Sequence, residues 1–166
     1  MNEHKTRKPD WLKVKIPSGK EYVQVREIVK QHKMHTICTS GLCPNMAECW
    51  GKGTATFMIL GDICTRSCKF CATKTGKPEN IDRDEPKNLA ESVRLMKLKH
   101  CVITSVDRDD LPDGGAAHFA RTIAALRARL PQSTIEVLIP DFRGDEAALR
   151  IVMDARPEIL NHNLET

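Results

Sequence analysis

From residue 55 onward, short apolar runs alternate with segments whose apolar residues recur every three or four positions. Ala55–Leu60 is an apolar-rich run closed by Gly61, the pattern of a buried strand. Leu89, Val93 and Met96 mark one face of a helix, and Cys101–Thr104 forms the next strand. Phe119, Ile123, Leu126 and Leu130 mark a second helix, followed by Ile135–Ile139 as a strand that Pro140 ends. Leu149, Val152 and Met153 mark a third helix, which Pro157 cuts off, and Ile159–Leu164 reads as a fourth strand. Such alternation predicts successive βα units on a parallel sheet, joined by right-handed crossovers. Upstream, Ser18 and Glu21 stand at capping-box spacing before Tyr22, Val25 and Val29, which predicts a helix over 19–33. Residues 1–17 show no period; Lys5, Arg7, Lys8, Lys13 and Lys15 surround Trp11 in what reads as an extended arm. The expected organisation is an N-terminal helical extension over 1–52 and an α/β unit over 53–166.

In open parallel sheets ligands gather at the carboxyl ends of the strands. Four loops fall there: the one holding Cys64, Cys68 and Cys71, then residues 104–115, 140–145 and 161–166. All the unusual chemistry therefore shares one face. Six of the seven cysteines fall into two groups, Cys38/Cys43/Cys49 and Cys64/Cys68/Cys71. No unbroken apolar run exceeds four residues, as in Phe57–Leu60, far short of the roughly 18 a membrane span needs. The N-terminus has no secretory-type apolar stretch. The expectation is a cytoplasmic protein without a membrane partner, in which grouped cysteines bind metal or a cluster instead of forming disulfides.

Thiolates this close repel one another unless a cation neutralises them. A structural zinc site wants four ligands, yet the nearest histidine downstream of Cys71 is His100, beyond a predicted helix. Three ligands leave one metal position open, the arrangement of a reactive site. Phe70 offers a planar face beside it for stacking a nucleobase. A non-catalytic zinc-binding module stays open as a second reading if both groups fold into one closed site.

C-x3-C-x2-C with an aromatic before the third cysteine resembles the signature of radical S-adenosylmethionine enzymes. The first group, C-x4-C-x5-C, together with "RKPDWLKVKIP", "TATFMILGDICTRSCKFC", "TSVDRDDLPDGG" and "NHNLET", makes the chain similar to lipoyl synthases from about residue 7 to its last residue. The resemblance implies a partial (βα) barrel of six strands, of which four are present. It implies a four-iron, four-sulfur cluster on Cys64, Cys68 and Cys71 that binds S-adenosylmethionine and, with one electron from a ferredoxin- or flavodoxin-type donor, yields a 5'-deoxyadenosyl radical. That radical takes hydrogens from C6 and C8 of an octanoyl chain on a lysine of a lipoyl carrier protein. A second such cluster, on Cys38, Cys43 and Cys49, is dismantled to supply both sulfurs. A tRNA methylthiolating or biotin-type sulfur inserter is the related alternative. The family's R-S-S-Y serine, fourth ligand of the second cluster, has no counterpart here, and the chain stops after the fourth predicted strand. The expectation is a truncated product with a bare sheet edge and a bare helical face.

Around this centre Thr104, Ser105, Asp107 and Arg108 are candidate cofactor contacts, Arg108 as a bidentate partner for a carboxylate. Glu136, Asn161, Asn163 and Glu165 join them, and strand alternation points Asn161, Asn163 and Glu165 to one side and His162 to the other. Asp113-Gly114-Gly115 reads as a turn and helix cap. His32, His35 and His118 read as structural or solvated, and Cys101 as a buried inert thiol. "GKGT" at 51–54 is no phosphate loop, because the glycine required upstream is missing. The net charge of +4 serves solubility first. With one tyrosine and four phenylalanines there is no aromatic platform for nucleic acid, so the basic arm is expected to steer toward an acidic carrier domain.

Overall fold

In the computed structural model, the residues described are Pro9, 19–32, 34–52 and 55–164. The basic arm's lysines and arginine, Trp11, Ser18 and Glu165 lie outside them. The helix expected over 19–33 is α1, Lys20–Gln31, entered through Gly19. Three short elements follow: β1 (His35–Thr36), α2 (Ile37–Ser40) and α3 (Met46–Gly51). Thr36 starts α2 as its N-cap, accepting the Thr39 amide at 3.3 Å. Trp50 of α3 is buried against Tyr22 of α1, ring centroids 5.5 Å apart, which joins the two helices.

The βα alternation then runs as the sequence pattern predicts. β2 (Thr56–Ile59) leads into a long loop holding the small parallel ladder of β3 (Ile63–Cys64) and β4 (Lys74–Thr75). Next come α4 (Glu85–Leu95), β5 (His100–Ser105), α5 (Ala116–Arg129), β6 (Thr134–Ile139), a single 3-10 turn (Phe142–Gly144), α6 (Glu146–Asp154) and β7 (Ile159–His162). The main sheet has the order β1-β2-β5-β6-β7, parallel throughout except for β1, whose Thr36 pairs with Phe57. Among the described residues the sheet stays open. All four predicted strands are present; β1 and the β3–β4 ladder are additions, and the last strand ends at His162 instead of Leu164.

Local chemistry fixes the helix starts. Asp145 accepts the amides of Ala147 and Ala148 before α6, and Pro86 sits in the first turn of α4, where its missing N–H costs nothing. Asp113 accepts the amides of Gly115 and Ala117, so the expected turn and cap stand. Along β6, Ile135, Val137 and Ile139 are buried while Thr134, Glu136 and Leu138 are half-exposed. The buried set joins Phe57, Ile59 and Ile103 with Leu89, Val93, Phe119, Ile123, Leu126 and Val152 in one core. Each fully buried Leu, Ile or Phe there contributes about 1.5–3 kcal/mol. Leu149, Ile151, Met153 and Ile159 remain exposed, and among the described residues β7 has no partner on its outer side. The bare edge and face expected from the sequence are thus present. No described helix is long and apolar enough to cross a membrane.

Candidate active site

The side chains of alternate residues on the parallel strands, Thr56 and Met58, Thr104, and Leu138, form the floor of a cavity of about 510 Å³ at the carboxyl ends of the sheet. Cys64, Cys68, Phe70 and Cys71 line it together with Ser105, Asp107, Asp141, His162 and Asn163. Ile37, which directly precedes Cys38, also lines it. One cavity therefore touches the second cysteine group and the flank of the first.

The cysteine loop is tied down at several points. Thr65 donates its amide and its hydroxyl to the Asp107 carbonyl, at 3.1 and 3.0 Å, and accepts the Asp109 amide at 3.1 Å. Gly76 donates to the Cys64 carbonyl at 3.0 Å, closing the loop beside the β3–β4 ladder. Arg66, between Cys64 and Cys68, donates to Asp109 at 2.7 and 2.8 Å and to Asp141 at 2.9 and 2.8 Å. These carboxylates raise the already high Arg66 pKa, while Arg66 holds Asp109 and Asp141 below the usual carboxylate range. Asp107, 3.6 Å from Arg66, moves the other way because burial outweighs that charge.

Sulfur is prepared as an acceptor. The Arg66 amide points at Cys64 Sγ at 3.4 Å and the Thr73 amide at Cys71 Sγ at 3.5 Å; such N–H donors favour thiolate and tune cluster sulfur. Burial pushes the free Cys64 thiol up, and Cys64 donates to Asp107 Oδ2 at 3.7 Å. Cys68 and Cys71 are exposed, and all seven cysteines are free. In the first group, Cys38 lies in α2, Cys49 in α3, and Cys43 between them donates its amide to the Cys38 carbonyl at 3.0 Å. Burial, then the neighbouring Cys38 and Cys43, raise the Cys49 thiol.

Among the described residues no three Cys, His, Asp or Glu side chains converge tightly enough for a single metal ion. A four-iron cube spreads its ligands more widely than one ion. The three free cysteines lining one cavity, two of them facing backbone donors, fit such a group by donor chemistry. The Ser105 hydroxyl, on a residue that lines the same cavity, is buried without a hydrogen-bond partner.

The remaining candidates divide. Phe70, Thr104, Ser105, Asp107 and Asn163 line the cavity; Thr104 also donates to the Leu138 carbonyl at 3.1 Å. Arg108 does not line it: its guanidinium is 3% exposed and committed to Asp110, the Leu60 carbonyl and the Glu79 carbonyl. Glu136 and Asn161 share the sheet face of Leu138 but are not among the lining residues: they bond to each other, with His100 Nε2 on the same carboxylate at 2.7 Å. His162, placed on the opposite side from Asn163 by alternation, lines the cavity with it, because β7 ends there and the pleat no longer governs. Its Nδ1 donates to the Ile139 carbonyl at 3.1 Å. Arg66 and Asp141 were absent from the sequence candidates; an arginine inside the cysteine loop and an aspartate after β6 were the available signals.

An open parallel sheet of βα units, with three cysteines in the loop after its first parallel strand, defines a class of cluster-binding enzyme. Residues 58–166 match the Radical SAM superfamily, and the chain belongs to it. Residues 1–43 match the N-terminal domain of lipoyl synthase of the radical SAM family. The chain is 60% identical over 160 residues to the lipoyl synthase of Phocaeicola vulgatus (strain ATCC 8482), covering 96% of this chain and 56% of that protein. It is 60% identical over 165 residues to the lipoyl synthase of Bacteroides fragilis (strain YCH46), covering 99% and 57%. The mitochondrial lipoyl synthase of Nematostella vectensis is 57% identical over 159 residues, covering 96% and 55%. The chain thus spans little more than half the length of these relatives. Superfamily membership implies a four-iron, four-sulfur cluster and S-adenosylmethionine as cofactors.

Proposed function

We propose that the protein from which this chain comes is a sulfurtransferase that inserts two sulfur atoms, at C6 and C8, into an octanoyl group carried on a lipoyl carrier protein. The observation that carries this reading is the shared cavity: Cys64, Cys68 and Cys71 line it, and so does Ile37, next to Cys38. The similarity to lipoyl synthases on both sides of that cavity supports it.

In this reading Cys64, Cys68 and Cys71 hold one cluster, and Cys38, Cys43 and Cys49 hold a second that donates sulfur. When bound, the first cluster and S-adenosylmethionine supply the hydrogen-abstracting radical, fed by a ferredoxin- or flavodoxin-type donor. The chain's own residues bind, orient and shield. Phe70 presents a ring face, 67% exposed, to the adenine. The unpaired Ser105 hydroxyl and the Asp107 carboxyl offer polar partners to the cofactor's methionine end. Met58, Leu138 and Ile139 give an apolar floor on which an octanoyl chain lies dry, so that a radical meets C–H bonds and not solvent. Asn163 adds to the polar rim, and Glu165, outside the described residues, is a further candidate contact. The basic arm, also outside the described residues, steers the acidic carrier domain. The stretch through residue 52 serves as the auxiliary-cluster unit, and the location is cytoplasmic.

Anaerobic reconstitution with iron and sulfide tests this directly. The expected result is a brown protein that cleaves S-adenosylmethionine to 5'-deoxyadenosine, faster with an octanoyl-lysine peptide present. A colourless protein that takes up only zinc sinks the reading.

A further inference from the structure

Leu60, the residue that follows β2 and opens the cysteine loop, has φ 69° although it carries a side chain. This left-handed conformation costs about 1–2 kcal/mol, and Leu60 is only 3% exposed, so the fold must hold it there. Both of its backbone polar groups are taken by charged side chains from elsewhere. Its amide donates to Glu85 Oε2 at 2.9 Å, and its carbonyl accepts from Arg108 Nη1 at 3.1 Å.

Each of these side chains is itself fixed. Arg108 donates to both oxygens of Asp110 at 2.8 Å and to the Glu79 carbonyl at 3.1 Å. The same Glu85 Oε2 that holds Leu60 accepts His118 Nε2 at 2.6 Å. Arg121 Nη2 stands 3.1 Å from His118 Nδ1, and an arginine only donates. Nδ1 is therefore the bare nitrogen and the proton sits on Nε2, aimed at Glu85. Glu85, Arg108 and His118 are 7%, 3% and 1% exposed. They come from the start of α4, the loop after β5 and the first turn of α5, so the helix of Leu60's own βα unit and the loop and helix of the next unit converge on one residue. None of the three lines the cysteine-bearing cavity.

We propose that Glu85, His118 and Arg108 are positioning residues that clamp Leu60 and so preset the direction in which the chain leaves β2 toward Cys64. The proposal rests on reading Cys64, Cys68 and Cys71 as the cluster-binding loop; the clamp itself acts before any cofactor arrives. Without it the strained peptide relaxes, and Cys64 samples positions from which the three sulfurs no longer face one cavity.

The test uses the metal-free chain, so its outcome is independent of whether the reconstituted protein inserts sulfur. Amide hydrogen exchange at 60–64 is compared between the parent chain, Glu85→Ala, Glu85→Gln and His118→Gln. One carboxylate oxygen accepts both bonds, so the carbonyl oxygen of glutamine can replace it. The expected result is exchange at 60–64 about tenfold faster or more in Glu85→Ala, an intermediate rise in His118→Gln, and near-parent rates in Glu85→Gln. Exchange in the core of β5 and β6 stays unchanged. If Glu85→Ala does not fold, the glutamine and His118 variants decide alone. The proposal is overturned if Glu85→Gln is as damaging as Glu85→Ala, if His118→Gln leaves 60–64 untouched, or if exchange rises evenly across the sheet. After reconstitution, the cluster on Cys64, Cys68 and Cys71 in His118→Gln shows a broadened electron-spin signal, and Glu85→Gln keeps the parent line shape.

Discussion

Arg66 donates to both carboxylate oxygens of Asp141, at 2.9 and 2.8 Å, so the middle of the cysteine loop is fastened to the segment that leaves β6. Arg66, and after it the Arg143 amide, holds the Asp141 carboxyl down at about 2, against an ordinary 3.8. A depressed folded-state pKa means that the contribution is complete above the unfolded value and lost as pH falls through the folded one. The stability of the parent chain should therefore drop between about pH 4 and pH 2 more steeply than that of Asp141→Asn. At pH 7 the variant should lose no more than about 1 kcal/mol, since the pair is partly solvated. Thermal melts across this range measure both; parallel curves would show that the pair adds nothing.

The order of thiol reactivity in the metal-free chain is set by burial. Cys68 and Cys71 are exposed and should react first with an alkylating reagent. Cys101 is 0% exposed, and burial pushes its thiol up to about 12, so it should react last and only on unfolding. Mass mapping of the labelled peptides gives the sequence of events. Early labelling of Cys101 would mean that the strand holding it, β5, is not in place.

Phe70→Ala separates binding from stability. The ring is 67% exposed, so the melting midpoint should hardly move. Loss of stacking should weaken S-adenosylmethionine binding to the reconstituted chain roughly tenfold, the effect of about 1.4 kcal/mol. Equilibrium dialysis with the labelled nucleotide reads it out, and unchanged affinity would place the ring outside the site.

Gly115 stands at φ 94°, and a Cβ there would lie 2.3 Å from Leu60 Cδ1. Gly115→Ala therefore combines backbone strain with a clash against the residue that opens the cysteine loop. It should cost about 2 kcal/mol in urea unfolding and slow iron uptake by Cys64, Cys68 and Cys71 more than by the first group. Equal slowing of both groups would point to general destabilisation.

The βα alternation was legible because Ala55–Leu60, Ile135–Ile139 and the faces marked by Leu89 and Phe119 extend over enough residues for a period to register. His35–Thr36 and the ladder of Ile63–Cys64 with Lys74–Thr75 were not, because two residues have no period and their pairing is decided by distant partners. The cysteine loop was found from spacing and residue type. Its supports were not: Arg108 reads as a ligand-binding arginine until Leu60 and Glu79 are seen to occupy it, and the tie between Arg66 and Asp141 spans segments whose meeting only the folded sheet determines. Polar residues on a strand carry the same ambiguity. Glu136 and Asn161 face the right side of the sheet, yet their side chains are taken up by each other.

The antiparallel pairing of Thr36 with Phe57 places Cys38 two residues beyond a rung of the same sheet whose next loop carries Cys64. The two sulfur-rich stations are thus mounted on one girder and not on opposite ends of a hinge. In the proposed chemistry the tethered fatty chain, eight carbons on a lysine's reach, then travels between two stations that share one sheet.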